Sequence, residues 1–244
     1  MKKRILLIVL AALSAGVLFT IGITSAYFTD VEVKENVITI GKVSIKLDES
    51  PFDPSTPHDV VPGSKTEKAP KLTNNGNKDE FVFLKITVPK ANVTLLHETD
   101  ENRGTPKTGL TGTQQLFHIY AVTPSAAIST QEGKDIDVSY HAGDNDTDGW
   151  VLLDTTSEND KDTYVFGYNK LMKPEDKTVP LFDSVQLKSF IDSQIKGDVT
   201  IGVSAYGIQA DNLQTTPAID LEKQHYDNTD LNSIYTIVKN KANA

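Results

Sequence analysis

Acidic residues at alternate positions form the sharpest chemical motif of this chain. Asp144, Asp146 and Asp148 precede Gly149, which reproduces the D-x-D-x-D-G start of a calcium-binding loop. Oxygen ligands at this spacing converge on one hard cation when the glycine lets the chain turn back. The twelfth position, where such loops carry a bidentate glutamate, is Thr155. The motif therefore predicts either a structural calcium ion, the one cofactor expected, or an acidic turn before a strand.

Histidines and nucleophiles give no pattern that predicts catalysis. The five histidines are His58, His97, His118, His141 and His225. Zinc proteases place two histidines four residues apart on a helix with a glutamate between them. Glu98 follows His97, but position 101 is Glu101, and the pattern of residues 92–104 predicts a loop. There is no cysteine and no serine in a G-x-S-x-G turn. We expect no catalytic residues and a protein that is not an enzyme.

The first 26 residues have the organisation of a secretory signal peptide. Lys2, Lys3 and Arg4 precede an apolar run over residues 5–23, and small side chains follow up to Ala26. Cleavage is predicted between Ala26 and Tyr27. An uncleaved anchor helix is the alternative, because about 20 apolar residues span a bilayer.

Composition narrows the classes of partner and of fold. The chain has 244 residues and a net charge of −9, and loss of residues 1–26 removes three basic residues and no acidic one, giving −12. Such a charge disfavours nucleic acid and anionic lipid, so contact with a membrane is expected only through the signal peptide. Without cysteine, an exported chain needs a large core. We expect one domain over residues 37–244.

Short apolar runs bounded by turn residues predict an all-β fold, a jelly-roll-like antiparallel sandwich. Alternation over residues 43–47 predicts a strand, and residues 81–88 predict a central strand whose first half is buried on both sides. Further strands are predicted over residues 116–123, 150–154, 163–168, 185–191 and 199–208. A short helix is predicted from about Asp230 to Asn240, with its apolar face on the domain or on a partner.

Residues 27–36 form an extended segment with no obvious partner strand. Val31 and Val33 lie on one face of it, and Phe28 lies on the other. A strand of this kind completes the sheet of a neighbouring subunit through main-chain hydrogen bonds. We predict polymerisation contacts at Tyr27, Phe28, Val31 and Val33. The alternative is an edge strand of the same domain, or a loose terminus.

Several motifs carry a resemblance to a known family. Ala26-Tyr27-Phe28-Thr29-Asp30, a spacer, and Asn36-Val37-Ile38-Thr39-Ile40-Gly41-Lys42-Val43 fit the start of the family of TasA, camelysin and BsaA. Val61-Pro62-Gly63-Ser64 and Leu72-Thr73-Asn74-Asn75-Gly76-Asn77 fit a further family segment more loosely, as do residues 181–185 and 202–210. The chain resembles BsaA and TasA most, and residues 92–160 match least.

This resemblance implies an exported Gram-positive protein processed by a SipW-type signal peptidase. It implies a secreted subunit of biofilm-matrix fibres at the cell surface, polymerising with copies of itself by exchange of its N-terminal strand. A minor fibre or anchor protein is a further expected partner. The alternatives are a secreted camelysin-like metalloprotease and a monomeric adhesin or accessory fibre protein.

Overall fold

The structure is a computed structural model that describes residues 44–53, 60, 62–98, 102–121, 126–129, 137–191, 193–195, 199–211 and 213–242. These ranges contain twelve strands and one helix. In chain order they are β1 (Ile45–Asp48), β2 (Lys65–Glu67), β3 (Lys71–Asn74), β4 (Glu80–Leu96), β5 (Pro106–Gln115), β6 (Phe117–Tyr120), β7 (Ala126–Ser129), β8 (Asp137–Tyr140), β9 (Trp150–Ser157), β10 (Lys161–Tyr168), β11 (Ser184–Leu187), β12 (Gly202–Gln209) and α1 (Asn228–Ala242).

Two five-stranded sheets pack as a sandwich. The first has the order β12-β4-β10-β9, with β5 paired to the second half of β4. The second has the order β2-β11-β6-β8-β7, in which β6 and β8 run parallel. β1 and β3 form a separate antiparallel pair. One apolar core joins strands of both sheets with β1 and β3, which confirms the predicted all-β sandwich.

β4 is the central strand that the sequence predicts. Val82, Leu84 and Ile86 point into the core between the sheets. Phe81 and Phe83 alternate with them on the opposite face and belong to a second apolar cluster. All four residues from Phe81 to Leu84 are fully buried, because the sheet is covered on both faces here. Continuous apolar sequence is typical of a strand in such a position.

The second apolar cluster is covered by α1. Leu231, Ile234 and Val238 are buried against the sheet, so packing on the domain is the confirmed role of the helical apolar face. The helix begins two residues earlier than predicted, at Asn228. Asp227 caps it, since its carboxylate accepts the Asp230 N–H at 3.0 Å and its carbonyl accepts the Leu231 N–H at 3.1 Å.

The loop predicted over residues 92–104 is wrong in its first part, because β4 continues to Leu96. The second half of β4 pairs with β5, from Lys90↔Gln115 to Leu96↔Pro106. Val93 and Leu95 alternate with polar residues and reach the core. Polar residues surround these two apolar positions, so the alternation is too short to predict a strand from the sequence. The other predicted strands are present as β1, β6, β9, β10, β11 and β12, with shifted ends.

Candidate functional site

The predicted N-terminal site residues lie outside the described part of the chain. This applies to Ala26 and Tyr27 at the cleavage point and to Phe28, Val31 and Val33 in the exchange segment. They stay predictions. The structure instead describes the sheet edges to which an added strand could bind.

β12 is the most informative of these edges. One side of it is hydrogen-bonded to β4, from Gly202↔Thr87 to Gln209↔Glu80. No strand among the described residues pairs with its other side, which we call the outer edge. β1 approaches β12 to within 8 Å between Cα atoms without pairing with it. β12 thus presents an outer edge of eight residues, about 27 Å long.

The hydrogen-bond phase of β12 identifies which residues face the outer edge. Ala210 donates its N–H to the Asp79 carbonyl at 2.9 Å, so Gln209 and Glu80 form a non-hydrogen-bonded pair. Every second residue of β12 then turns its own N–H and C=O away from β4. These residues are Val203, Ala205, Gly207 and Gln209. The backbone N–H and C=O groups of these four residues therefore point toward the outer edge.

Two of these residues face the apolar core between the sheets. Val203 is buried in the sandwich core, and Ala205 is partly buried against it. Ile45 and Leu47 of β1 belong to the same packed region. A strand added at the outer edge would extend a sheet whose core face is already apolar. This is the arrangement in which main-chain bonds give affinity and alternate side chains give specificity.

In the other sheet, the edge strand β2 is short and charged. β2 is three residues long, and Lys65 and Glu67 are exposed on it. Short charged edge strands are poor templates for pairing. β9 and β7 also end their sheets, and we take the outer edge of β12 as the candidate functional site because β12 continues the apolar core face of β4.

The acidic turn predicted as a calcium site is organised by hydrogen bonds within the protein. Asp144 Oδ1 accepts the N–H groups of Asp146 and Thr147 at 2.9 and 2.8 Å. The N–H of Asp146, more than any other group, holds the pKa of the Asp144 carboxyl below its usual value. Asp146 itself is exposed.

Asp148 belongs to a small charged cluster instead. Its Oδ2 lies 2.7 Å from Lys170 Nζ, and its Oδ1 lies 2.8 Å from His225 Nε2. Partial burial acts to raise the pKa of Asp148, but the bonds from Lys170 and His225 outweigh it and lower that pKa. The opposite nitrogen of His225 lies 2.8 Å from the Asn145 carbonyl. The imidazole thereby ties this turn to the segment before α1.

Asn169 lies inside the turn and was not found by sequence reasoning. Its Nδ2 donates to the carbonyls of Asp144 and Thr147 at 2.8 and 2.9 Å, and its Oδ1 accepts the Gly149 N–H at 2.8 Å. The side-chain amide of Asn169 thus satisfies two backbone carbonyls and one backbone N–H of the turn. Calcium binding at Asp144, Asp146 and Asp148 stays a prediction.

The histidines are distributed over separate parts of the fold. His141 pairs with Asp183 at 2.7 Å and His118 lies 3.9 Å from Glu98, while His225 pairs with Asp148 as above. His58 and Glu101 lie outside the described residues. Within the described ranges, no group of three or more His, Asp or Glu side chains is placed to hold a metal ion.

Comparison with known protein families gives a match over the N-terminal part of the chain. Residues 1–104 match the family described as camelysin metallo-endopeptidase. Curated proteins and solved structures give no match. In the portion of the chain that the structure covers, no helix has the length and apolarity to cross a membrane. The matched residues include the N-terminal motifs that carry the resemblance to TasA. The first 104 of the 244 residues, less than half of the chain, are therefore similar to the camelysin family.

Proposed function

We propose that this protein is a structural subunit of extracellular fibres in a biofilm matrix. Each subunit inserts residues 27–36 along the outer edge of β12 in the next subunit. The mature chain would begin at Tyr27 after removal of residues 1–26 by a SipW-type peptidase. The observation that carries the proposal is the one-sided pairing of β12 among the described residues, in a chain whose residues 1–104 match the camelysin family.

The dimensions of the two segments support this pairing. Ten extended residues span about 34 Å and the eight residues of β12 about 27 Å, so one N-terminal segment covers the whole outer edge. Val31 and Val33 would lie on the core side beside Val203 and Ala205. Phe28 would lie on the opposite face.

The geometry of such a contact leads to a filament. The donated segment and the receiving edge are different surfaces, so the contact is heterologous. Heterologous contacts form open chains when the rotation between subunits does not close a ring. Fibres at the cell surface then follow from export and self-association alone.

A proline substitution tests the receiving edge directly. Ala205→Pro removes an N–H that faces the outer edge and leaves the bonds between β12 and β4 in place. We expect the variant to fold as a monomer with a melting temperature close to that of the wild type. The binding assay uses chains that start at residue 37 and a synthetic peptide of residues 27–36. The wild-type chain should bind this peptide, and the chain with Ala205→Pro should not.

The adjacent residue provides the matched control. Ser204 faces Lys85 in a hydrogen-bonded pair, so Ser204→Pro breaks the β4 ladder and should lower the melting temperature instead. Full peptide binding by folded Ala205→Pro would contradict the proposed receiving edge. Equal destabilisation by both prolines would contradict the assigned hydrogen-bond phase.

A secreted metalloprotease is the second candidate, because the matched family is named for a metallo-endopeptidase. It predicts about one bound zinc per chain and casein cleavage that a chelator abolishes. Metal analysis and a casein assay on protein secreted from its native host separate this candidate from the fibre subunit. A monomeric adhesin or accessory fibre protein would bind its partner equally well without residues 27–36.

A further inference from the structure

Glu80 is a buried carboxyl group without a hydrogen-bond partner in the described part of the chain. Its side chain has 0% exposure, and neither oxygen has a hydrogen-bond partner among the described residues. Its backbone is fully used, because its N–H donates to the Met172 carbonyl at 2.9 Å and its carbonyl accepts the Met172 N–H at 3.0 Å. The backbone bonds therefore fix the position of a side chain that is fully buried.

The neighbours of Glu80 carry no charge into this site. In the strand alternation Glu80 shares the core face of β4 with Val82, and its cross-strand neighbour on β12 is Gln209. Asn74 lies on the other side of Met172, and its amide already donates to the carbonyls of Met172 and Lys78 and accepts the Gly76 N–H. The side-chain amide of Asn74 is thus hydrogen-bonded to other groups and not to Glu80.

The ionisable groups on the surrounding elements all lie at or near the surface. They are Lys71 on β3, Lys78 and Asp79 before β4, Lys173, Glu175, Asp176 and Lys177 in the segment after Met172, and Asp211 after β12. None of them is buried, and Lys78 pairs with Asp211 at 3.2 Å. Burial alone raises the pKa of Glu80, to about 8, with no contribution from a neighbouring charge.

We propose that Glu80 is a proton-dependent latch, whose neutral carboxyl group keeps the end of β4 packed between Met172 and β12. Loss of the proton places an unpaired charge in the core and loosens this end of the sheet. β12 carries the outer edge described above, so the latch controls how firmly that edge is held. The inference concerns the folded subunit and stands whether or not the subunit forms fibres.

The direction of the pH effect follows from proton linkage. The folded state binds the Glu80 proton more tightly than the unfolded state, whose carboxyl group has a pKa of 4.5. The stabilisation is complete below about pH 4.5, declines as the pH rises, and is lost above about pH 8. Between about pH 5.5 and 7.5 the unfolding equilibrium constant should rise on the order of 50-fold because of this one group.

Urea unfolding across this pH range tests the latch in wild type and in Glu80→Gln. Glutamine keeps the shape of the neutral acid and cannot ionise, so the variant should lose the rise of the unfolding constant with pH. Glu67→Gln on the exposed β2 is the matched control and should follow the wild type. Indistinguishable pH profiles for Glu80→Gln and the wild type would overturn the proposal.

Two measurements on wild-type protein keep the test independent of the variant's folding. The carbon-13 resonance of the Glu80 carboxyl group should titrate near pH 8, and titration near 4.5 would overturn the proposal. Hydrogen exchange, corrected for its intrinsic pH dependence, should lose protection first at Met172 and in β12 as the pH passes 8. Loss of protection spread evenly over both sheets would contradict a local latch.

Discussion

Replacement of Asn169 by alanine should destabilise the protein by about 3 kcal/mol. The side chain is 1% exposed and makes three hydrogen bonds of 2.8, 2.8 and 2.9 Å across the turn of residues 144–149. Truncation leaves the buried Gly149 N–H without its acceptor, at roughly 1–3 kcal/mol. The carbonyls of Asp144 and Thr147 belong to exposed residues and can turn to water, which adds about 1 kcal/mol.

Urea denaturation followed by tryptophan fluorescence measures this loss, because Trp150 directly follows Gly149 and is the one tryptophan of the chain. Its indole is fully buried and donates to the Val179 carbonyl at 3.0 Å, so its emission reports unfolding. Asn145→Ala is the matched control. The side chain of Asn145 is exposed and only its carbonyl contacts His225, so we expect a change within about 0.5 kcal/mol.

Asn169→Asp distinguishes the role of the donor from that of the shape. The aspartate has nearly the same size, but it directs a carboxylate oxygen at two carbonyl oxygens. We expect a loss at least as large as that of Asn169→Ala in the presence of a chelator, and partial recovery with calcium. A loss below about 0.5 kcal/mol for Asn169→Ala would refute the conclusion that this amide holds the turn.

Three further predictions concern packing, backbone approach and metal. Leu231→Ala, at a fully buried position of α1, should lower the free energy of unfolding measured in urea by about 3 kcal/mol. Thr229→Ala, on the exposed first turn of α1, should change this free energy little. Gly149→Ala should cost more than about 3 kcal/mol, since its Cβ would overlap the backbone of Ala142 and Gly143; a stable variant would contradict that packing. Calcium should raise the melting temperature of the wild type by less than about 2 °C, because Asn169 already satisfies the turn carbonyls; a larger rise would show a cation site at Asp144, Asp146 and Asp148.

Sequence patterns predict the parts of this fold in which periodicity and burial agree. The first half of β4 is predicted because continuous apolar residues are covered on both faces, and α1 because Leu231, Ile234 and Val238 recur at helical spacing. β5 was missed because polar and glycine residues dominate it and its pairing with β4 supplies the stability. Such tertiary pairing leaves no local signal.

The candidate site shows the same limit. The N-terminal segment can be predicted from the sequence because its motif and its alternation are local. Whether β12 has an unpaired side depends on which strands lie beside it in the fold. Asn169 is 20 residues from the glycine that it binds, and nothing in its flanking residues predicts that contact. Glu80 precedes an apolar run like any solvent-exposed turn glutamate, and its pairing with Met172 and with β12 depends on residues distant in the sequence.

Negative-stain electron microscopy of two purified chains tests the central claim most directly. One chain begins at Tyr27 and the other at Val37, and both keep the whole sandwich and α1. The proposed strand exchange predicts filaments from the longer chain, monodisperse particles from the shorter one, and shortened filaments when a peptide of residues 27–36 is added as competitor. Filaments from the shorter chain, or monodisperse particles from both, would contradict assembly through the N-terminal strand.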